Sequence, residues 1–381
     1  RITGIVSSSV SIVSGLLSFY FLGMVHPKRR IYRHNLIFML IIFDFIKALA
    51  LLLYPAVAEA TKESIMESIP FRNVLGWFTC FSIEGGDFII LCFAVHIALL
   101  VFFPNLKFKF YNHNRLMTSN PQEGGLYPFR IYLYMISIIF PSLISSVGYV
   151  STQGYTSEVN WSFLTTVRPV WYFTWIFRYC IVIIILSMYV GTYVHVTHQY
   201  KVVSSKMNLE GGQKHTMLST LLRDSVWYKL GKFVMMLVFP DATEVESTES
   251  EKVRRLQRDM GLDIQRMLHR EAMDRFELRR AQIMKQMKVI FVYPVSYLLL
   301  WMFPFIHQCY VLKHNGEVTS NTYVWYAMAA FFQAFNCTID TLVFLYRERP
   351  WTLTVACVDP GMRFSYSLWR HWLSFLPGYH L

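Results

Sequence analysis

Asp44 and Lys47 stand three residues apart inside an otherwise apolar run, and Glu84 and Asp87 repeat that spacing around Gly85-Gly86. Three residues is close to one helical turn, so each pair shares a helix face. Arg178 and Asp340 stand alone in apolar runs of their own. Carboxylates and cations placed this way do one of two things. They neutralise one another as fixed ion pairs, such as Asp44 with Lys47 and Glu84/Asp87 with Arg178. Alternatively they form a polar network whose pairing changes between two conformations. Asp44, Lys47 and Asp340 would then be an inner switch, with Glu84, Asp87 and Arg178 lining a ligand cavity.

The runs that hold these residues determine the class. The 381-residue chain is 54% hydrophobic and only 16% charged, whereas a soluble domain has about 25% charged residues. Apolar runs recur at 4–25, 36–58, 74–103, 129–150, 170–194, 289–306 and 322–345. Each is near the roughly 20 residues that cross a ~30 Å hydrocarbon core. The expected fold is an all-α membrane protein, a seven-transmembrane helix bundle with a long helical third cytoplasmic insert. A charge at mid-bilayer costs about 2.5–3.5 kcal/mol on insertion scales, so the six ionisable residues above each require a partner or a purpose.

The expected organisation is helices 1–5 in 1–195, the insert in 196–282, helices 6–7 in 283–346 and a tail in 347–381. The chain begins at Arg1, and 4–25 reads as a retained anchor rather than a cleaved signal. Within the insert, Val253, Leu256, Met260, Ile264 and Met267 recur at helical spacing, which predicts a long helix running into the sixth span. Earlier, "WYKLGKFVMMLVF" reads as an interfacial helix. The acidic, Ser/Thr-rich "PDATEVESTESE" reads as a disordered linker. The tail aromatics predict a short helix along the inner leaflet.

The net charge of +12 is a matter of loops rather than of nucleic acid. Lys28, Arg29, Arg30 and Arg33 crowd the first loop, and Lys107, Lys109 and Arg115 the third. The intervening loops are acidic or free of Lys and Arg. Basic loops face the cytoplasm, so the N-terminus is expected outside and the C-terminus inside. Asn160-Trp161-Ser162 is a glycosylation sequon on the expected outer side, while Asn336-Cys337-Thr338 is buried in a span.

Aromatics near the outer span ends, Trp171, Trp175, Trp325 and Tyr326, together with Gln308 and Gln333, either line a pocket for a polar small molecule or form an interfacial belt. In the sixth span, Pro294 and Pro304 bracket Trp301, as a kink or as a lever. The six cysteines show no CxxC pattern, so no metal or cofactor is expected. An intramembrane hydrolase would need a metal cluster that His195 and His198 do not supply. A retinal pigment would need a lysine in the seventh span, which has none. A small-molecule transporter is the remaining alternative, without the inverted repeat that such folds show.

Two stretches, "RRAQIMKQMKVIFVYPVSYLLLWMFPFI" and "TIDTLVFLYRERPW", resemble the fungal carbon-source (glucose)-sensing G protein-coupled receptor family. The resemblance implies a plasma-membrane address, a sugar or related nutrient stimulus, and a heterotrimeric Gα partner acting toward cyclic AMP and protein kinase A. Arg279, Arg280, Lys285 and Lys288, at the base of the sixth helix, are then the candidate G protein contacts, or anchors at the phosphate headgroups. The chain departs from rhodopsin-like receptors. His96 stands where an acidic-Arg-Tyr lock would be, Trp301 and Pro304 form W-x-x-P, and Thr follows Asp340. The second outer loop lacks a cysteine for Cys80, which leaves Cys309 as a conceivable mate.

Overall fold

The structure, a computed structural model, describes residues 1–25, 30–61, 68–102, 106–108, 125–150, 154–157, 161–164, 169–208, 242–244, 292–313, 320–353 and 375. Seven long helices carry the described chain: α1 Ile2–Met24, α2 Tyr32–Ala60, α3 Ile69–Phe102, α4 Arg130–Val147, α5 Pro169–Asn208, α6 Val292–Lys313 and α7 Ser320–Glu348. Four short strands, β1 Leu106–Phe108, β2 Thr156–Ser157, β3 Ser162–Phe163 and β4 Ala242–Glu244, pair as β1–β4 and β2–β3, both antiparallel.

All the helices except α6 are long and apolar enough to cross a membrane. In α6, prolines, tyrosines and the His307-Gln308 pair dilute the run. Lipid offers the backbone no hydrogen bonds, so a crossing segment must satisfy its own as a helix. The outward faces agree, with Val13 and Leu16 of α1, Ile131, Met135 and Leu143 of α4, and Ile176 and Ile183 of α5 all exposed.

The chain divides into two compact units. In the first (1–95, 129–187 and 292–381), α1 packs on α7 through small residues. Ser7, Ser8, Ser11, Gly15 and Ser18 are buried along one face. Between helices in lipid, close packing and hydrogen bonds replace the hydrophobic drive. Accordingly Ser11 donates to the Ala334 carbonyl at 2.6 Å and pairs with Thr338 at 3.0 Å, while Ser18 donates to Thr341 at 2.9 Å. A Cβ on Gly15 would stand 2.7 Å from the Phe45 ring and 3.1 Å from the Cys337 sulfur.

In the second unit (96–128 and 188–291), His96 is a fastener rather than a lock. Its Nδ1 accepts the Leu126 N–H at 3.2 Å. The neighbouring Gly125 has φ +67°, a conformation that needs glycine. The expected disordered linker is corrected at three residues. Ala242–Glu244 is β4, paired with Leu106–Phe108, because two unsatisfied backbone edges gain by meeting. Helix α5 continues to Asn208, beyond the expected edge at 194, since the sequence has no breaker before Gly211-Gly212. The insert helix, the interfacial stretch, Arg279, Arg280, Lys285, Lys288, Asn160 and the tail helix lie outside the described residues. Cys80 and Cys309 are both free, one buried and one exposed, which corrects the conceivable disulfide.

Candidate functional site

Two polar clusters occupy the bundle. In the first, Glu84 and Asp87 share a face of α3 and both reach Arg178 on α5. Arg178 Nε donates to Asp87 Oδ2 at 2.7 Å, and Nη2 donates to Glu84 Oε1 at 2.5 Å. The Tyr297 hydroxyl of α6 donates to Asp87 Oδ1 at 2.5 Å. The guanidinium also lies over two aromatic rings, 4.4 Å from that of Trp301 and 5.0 Å from that of Trp175. Three helices therefore meet on one cation that is 1% exposed. Glu84 Oε2 and Arg178 Nη1 have no hydrogen-bond partner among the described residues.

The two glycines between the acids act differently. Gly85 packs against the Phe43 ring, so only glycine lets α2 and α3 approach there, whereas Gly86 faces open space.

Above Arg178 lies a cavity of about 40 Å³, lined among others by Thr79, Trp161, Phe163, Trp175, Trp301 and Gln333. It has room for a few waters, far less than the roughly 300 Å³ of an ordinary ligand pocket. Its other polar edges are His307 and Gln308, whose Nδ1 and Oε1 have no partner among the described residues. Phe163 of β3 and Trp161, which shortly precedes it, form part of its wall. Trp161 stacks on Tyr326 at 5.3 Å.

The second cluster joins α2 to α7. Asp44 Oδ1 accepts from Lys47 Nζ at 2.9 Å and from Asn336 Nδ2 at 2.7 Å. Asp340 of α7 lies near Asp44. All four residues are buried. Asn336 and Thr338 of the unreachable sequon are thus internal partners, one for Asp44 and the other for Ser11.

At the C-terminal end of α7, Arg33 Nη2 donates to Glu348 Oε2 at 2.7 Å, with His34 Nε2 3.5 Å from the same oxygen. The chain then turns at Arg349, whose φ of +45° is rare outside glycine. Burial lowers the Arg30 guanidinium to about 10. That group lies 3.6 Å over the Phe375 ring, which stacks on Phe38.

Arg178, Trp175, Gln308, Gln333, Trp301 and Pro304 therefore come together around the cavity, with Glu84 and Asp87 behind Arg178. Trp325 does not join them. It stacks on Tyr310, and the cavity lining does not include it. The Trp171 and Pro294 side chains lie outside the described ones. Sequence reasoning missed Tyr297, Asn336, Thr79, His307, Trp161 and Phe163. The sequence does hold a signal for His307, which adjoins Gln308, and for Trp161, which sits in a Lys/Arg-free loop.

Residues 1–203 match the family described as G protein-coupled glucose receptor regulating Gpa2, and residues 277–353 match its C-terminal counterpart. The chain is 32% identical over 247 residues to the G protein-coupled receptor GPR1 of Saccharomyces cerevisiae, covering 57% of this chain. It spans 25% of the length of that relative.

Proposed function

The chain belongs to the family of G protein-coupled glucose receptors regulating Gpa2, a multi-pass membrane protein, and from that premise we propose that it senses glucose or a related neutral polyol at the plasma membrane and activates a Gα subunit toward cyclic AMP and protein kinase A. In this reading the seven helices all span, with the N-terminus outside, the C-terminus inside and Asn160 open to glycosylation.

The observation that carries the reading is the cavity wall. Among the described residues Arg178 Nη1 is a spare donor, Gln308 Oε1 a spare acceptor and His307 Nδ1 an unmatched ring nitrogen, set among Trp161, Trp175 and Trp301. Hydroxyl groups satisfy both kinds of site, and flat aromatic faces suit the C–H faces of a sugar ring. An anionic nutrient is disfavoured, because Arg178 is already matched by two carboxylates.

Transmission runs through α6. Trp301 rests on Arg178, and Pro304, inside the helix, removes a backbone donor where α6 can bend. A ligand that draws on Arg178 biases the tilt of α6, and the Asp44–Lys47–Asp340 cluster sets the alternative pairings of α7. Arg279, Arg280, Lys285 and Lys288 meet the Gα subunit at the inner face, with the lipid bilayer around the helices.

The test is nucleotide exchange on a fungal Gα subunit by purified receptor in lipid, with and without glucose. Exchange that rises with sugar supports direct sensing. Receptor-dependent exchange indifferent to sugar removes glucose as the ligand. No exchange from folded protein, together with solute uptake into liposomes, favours a transporter. The double substitution Arg279→Ala and Arg280→Ala should abolish exchange at normal surface expression.

A further inference from the structure

Resting on the reading of the cavity as the ligand site, we propose that Tyr155 is the positioning residue that seats Trp161 and Phe163 over it: a reversible, noncovalent latch between the outer β-hairpin and helices α3 and α4.

A hairpin over a cavity needs a tether. No covalent one exists here, since Cys80 of α3 is free and the outer loop holding the hairpin has no cysteine. Tyr155 immediately precedes β2 and is completely buried. Its ring fills a notch built from two glycines. A Cβ on Gly76 of α3 would stand 2.5 Å from the ring carbon Cγ, and one on Gly148 would stand 2.8 Å from Cζ. Neither position can carry a side chain while the ring is seated.

Polar contacts hold it from both ends. The Tyr155 hydroxyl donates to the Ser145 carbonyl of α4 at 2.6 Å, and the Tyr155 N–H donates to Asn73 Oδ1 of α3 at 3.0 Å. Tyr149 donates its hydroxyl to the Asn73 carbonyl at 3.1 Å and meets the Tyr155 ring edge-on at 5.8 Å. Gly154, with φ +59°, packs on the Asn73 amide and turns the chain into the notch.

The seat is transmitted one residue further on. Thr156 pairs with Phe163 and Ser157 with Ser162. Thr156 Oγ1 donates to the Phe163 carbonyl at 3.1 Å, and Ser162 Oγ donates to the Thr156 carbonyl at 3.2 Å. Where Tyr155 sits therefore fixes where Phe163 and Trp161 sit, and these two residues line the cavity. A cavity of about 40 Å³ is small beside a hexose, and displacing Trp161 and Phe163 from its wall would enlarge it. Withdrawal of one aromatic ring breaks no covalent bond, and it frees the strand pair as a unit.

The experiment reads access to the cavity without any ligand. Gln333 lines it, and Gln333→Cys adds no bulk. The rate at which a membrane-impermeant methanethiosulfonate labels that cysteine is measured in full-length receptor in lipid nanodiscs, with the chain lacking Gln333→Cys as background. Tyr155→Ala and Gly76→Ala should each raise the rate by about tenfold, the ratio expected when a local opening becomes easier by one decade. The two combined should raise it no further, because the Gly76 methyl has nothing to displace once the ring is gone.

Unchanged rates in both single variants, or rates that multiply in the double, overturn the latch. Gly76→Ala keeps every hydrogen-bonding group and raises helix propensity, so it carries the test if Tyr155→Ala does not fold. The readout does not involve sugar or Gα. Failure of the latch therefore leaves the sensing proposal standing, and failure of sugar-stimulated exchange leaves the latch measurable.

Discussion

The Glu84–Asp87–Arg178 cluster sets two carboxylates against one guanidinium in a dry site, so its members should differ in cost when neutralised. Removing the cation leaves two buried acids uncompensated, and Arg178→Leu should cost about 3–5 kcal/mol, the usual penalty for breaking a buried pair. Asp87 receives two hydrogen bonds, from Arg178 Nε at 2.7 Å and Tyr297 at 2.5 Å. Asp87→Asn weakens both, at about 1.5–3 kcal/mol for a hydrogen bond to a charged group. Among the described residues Glu84 accepts only from Arg178 Nη2 and leaves Oε2 unmatched. Glu84→Gln keeps an acceptor for Arg178 and leaves a one-to-one charge pair, so it should cost about 1 kcal/mol or less. Thermal unfolding of purified receptor supplies the assay, followed by a thiol-reactive dye that reaches the buried Cys80, Cys92 and Cys337 only on unfolding. The expected order of melting temperatures is wild type, Glu84→Gln, Asp87→Asn, then Arg178→Leu. Replacing all three by Leu should recover most of the Arg178→Leu loss. If Glu84→Gln melts below Asp87→Asn, the assignment of hydrogen bonds within the cluster is refuted.

Adjacent glycines should behave oppositely. Gly85→Ala drives a methyl into Phe43 and should destabilise by about 1–3 kcal/mol, whereas Gly86→Ala meets nothing and should stabilise by about 0.5–1 kcal/mol, both read by the same melting assay. Gly15→Val wedges α1 away from Phe45 and Cys337 and should lower the yield of monodisperse receptor on size-exclusion chromatography by more than Val10→Ala, a change on the exposed side. Glu348→Gln loosens the Arg33 contact that ties α7 to α2. Its expected signature is raised sugar-independent exchange on the Gα subunit, and unchanged basal exchange would rule the contact out as a restraint.

The sequence alone determined the class and the long helices. A segment surrounded by lipid has no partner for its backbone except itself, so length and apolarity are enough to call for a helix. It also determined that Glu84 and Asp87 share a face, because spacing along one helix is local geometry. The stretches "RRAQIMKQMKVIFVYPVSYLLLWMFPFI" and "TIDTLVFLYRERPW" carried the resemblance that the family match supports.

Only the tertiary structure decided which charges meet. That Arg178 takes both acids of α3, that Asn336 serves Asp44, and that Arg33 reaches Glu348 across 315 positions of sequence depends on how each helix is rotated about its axis. The same rotation separates Trp175, turned to the cavity, from Trp325, turned to Tyr310. Hydropathy is nearly blind to rotation in an all-round apolar helix. The angle is set by small notches such as Ser11, Gly15 and Gly76, which work only against the particular side chain that fills them.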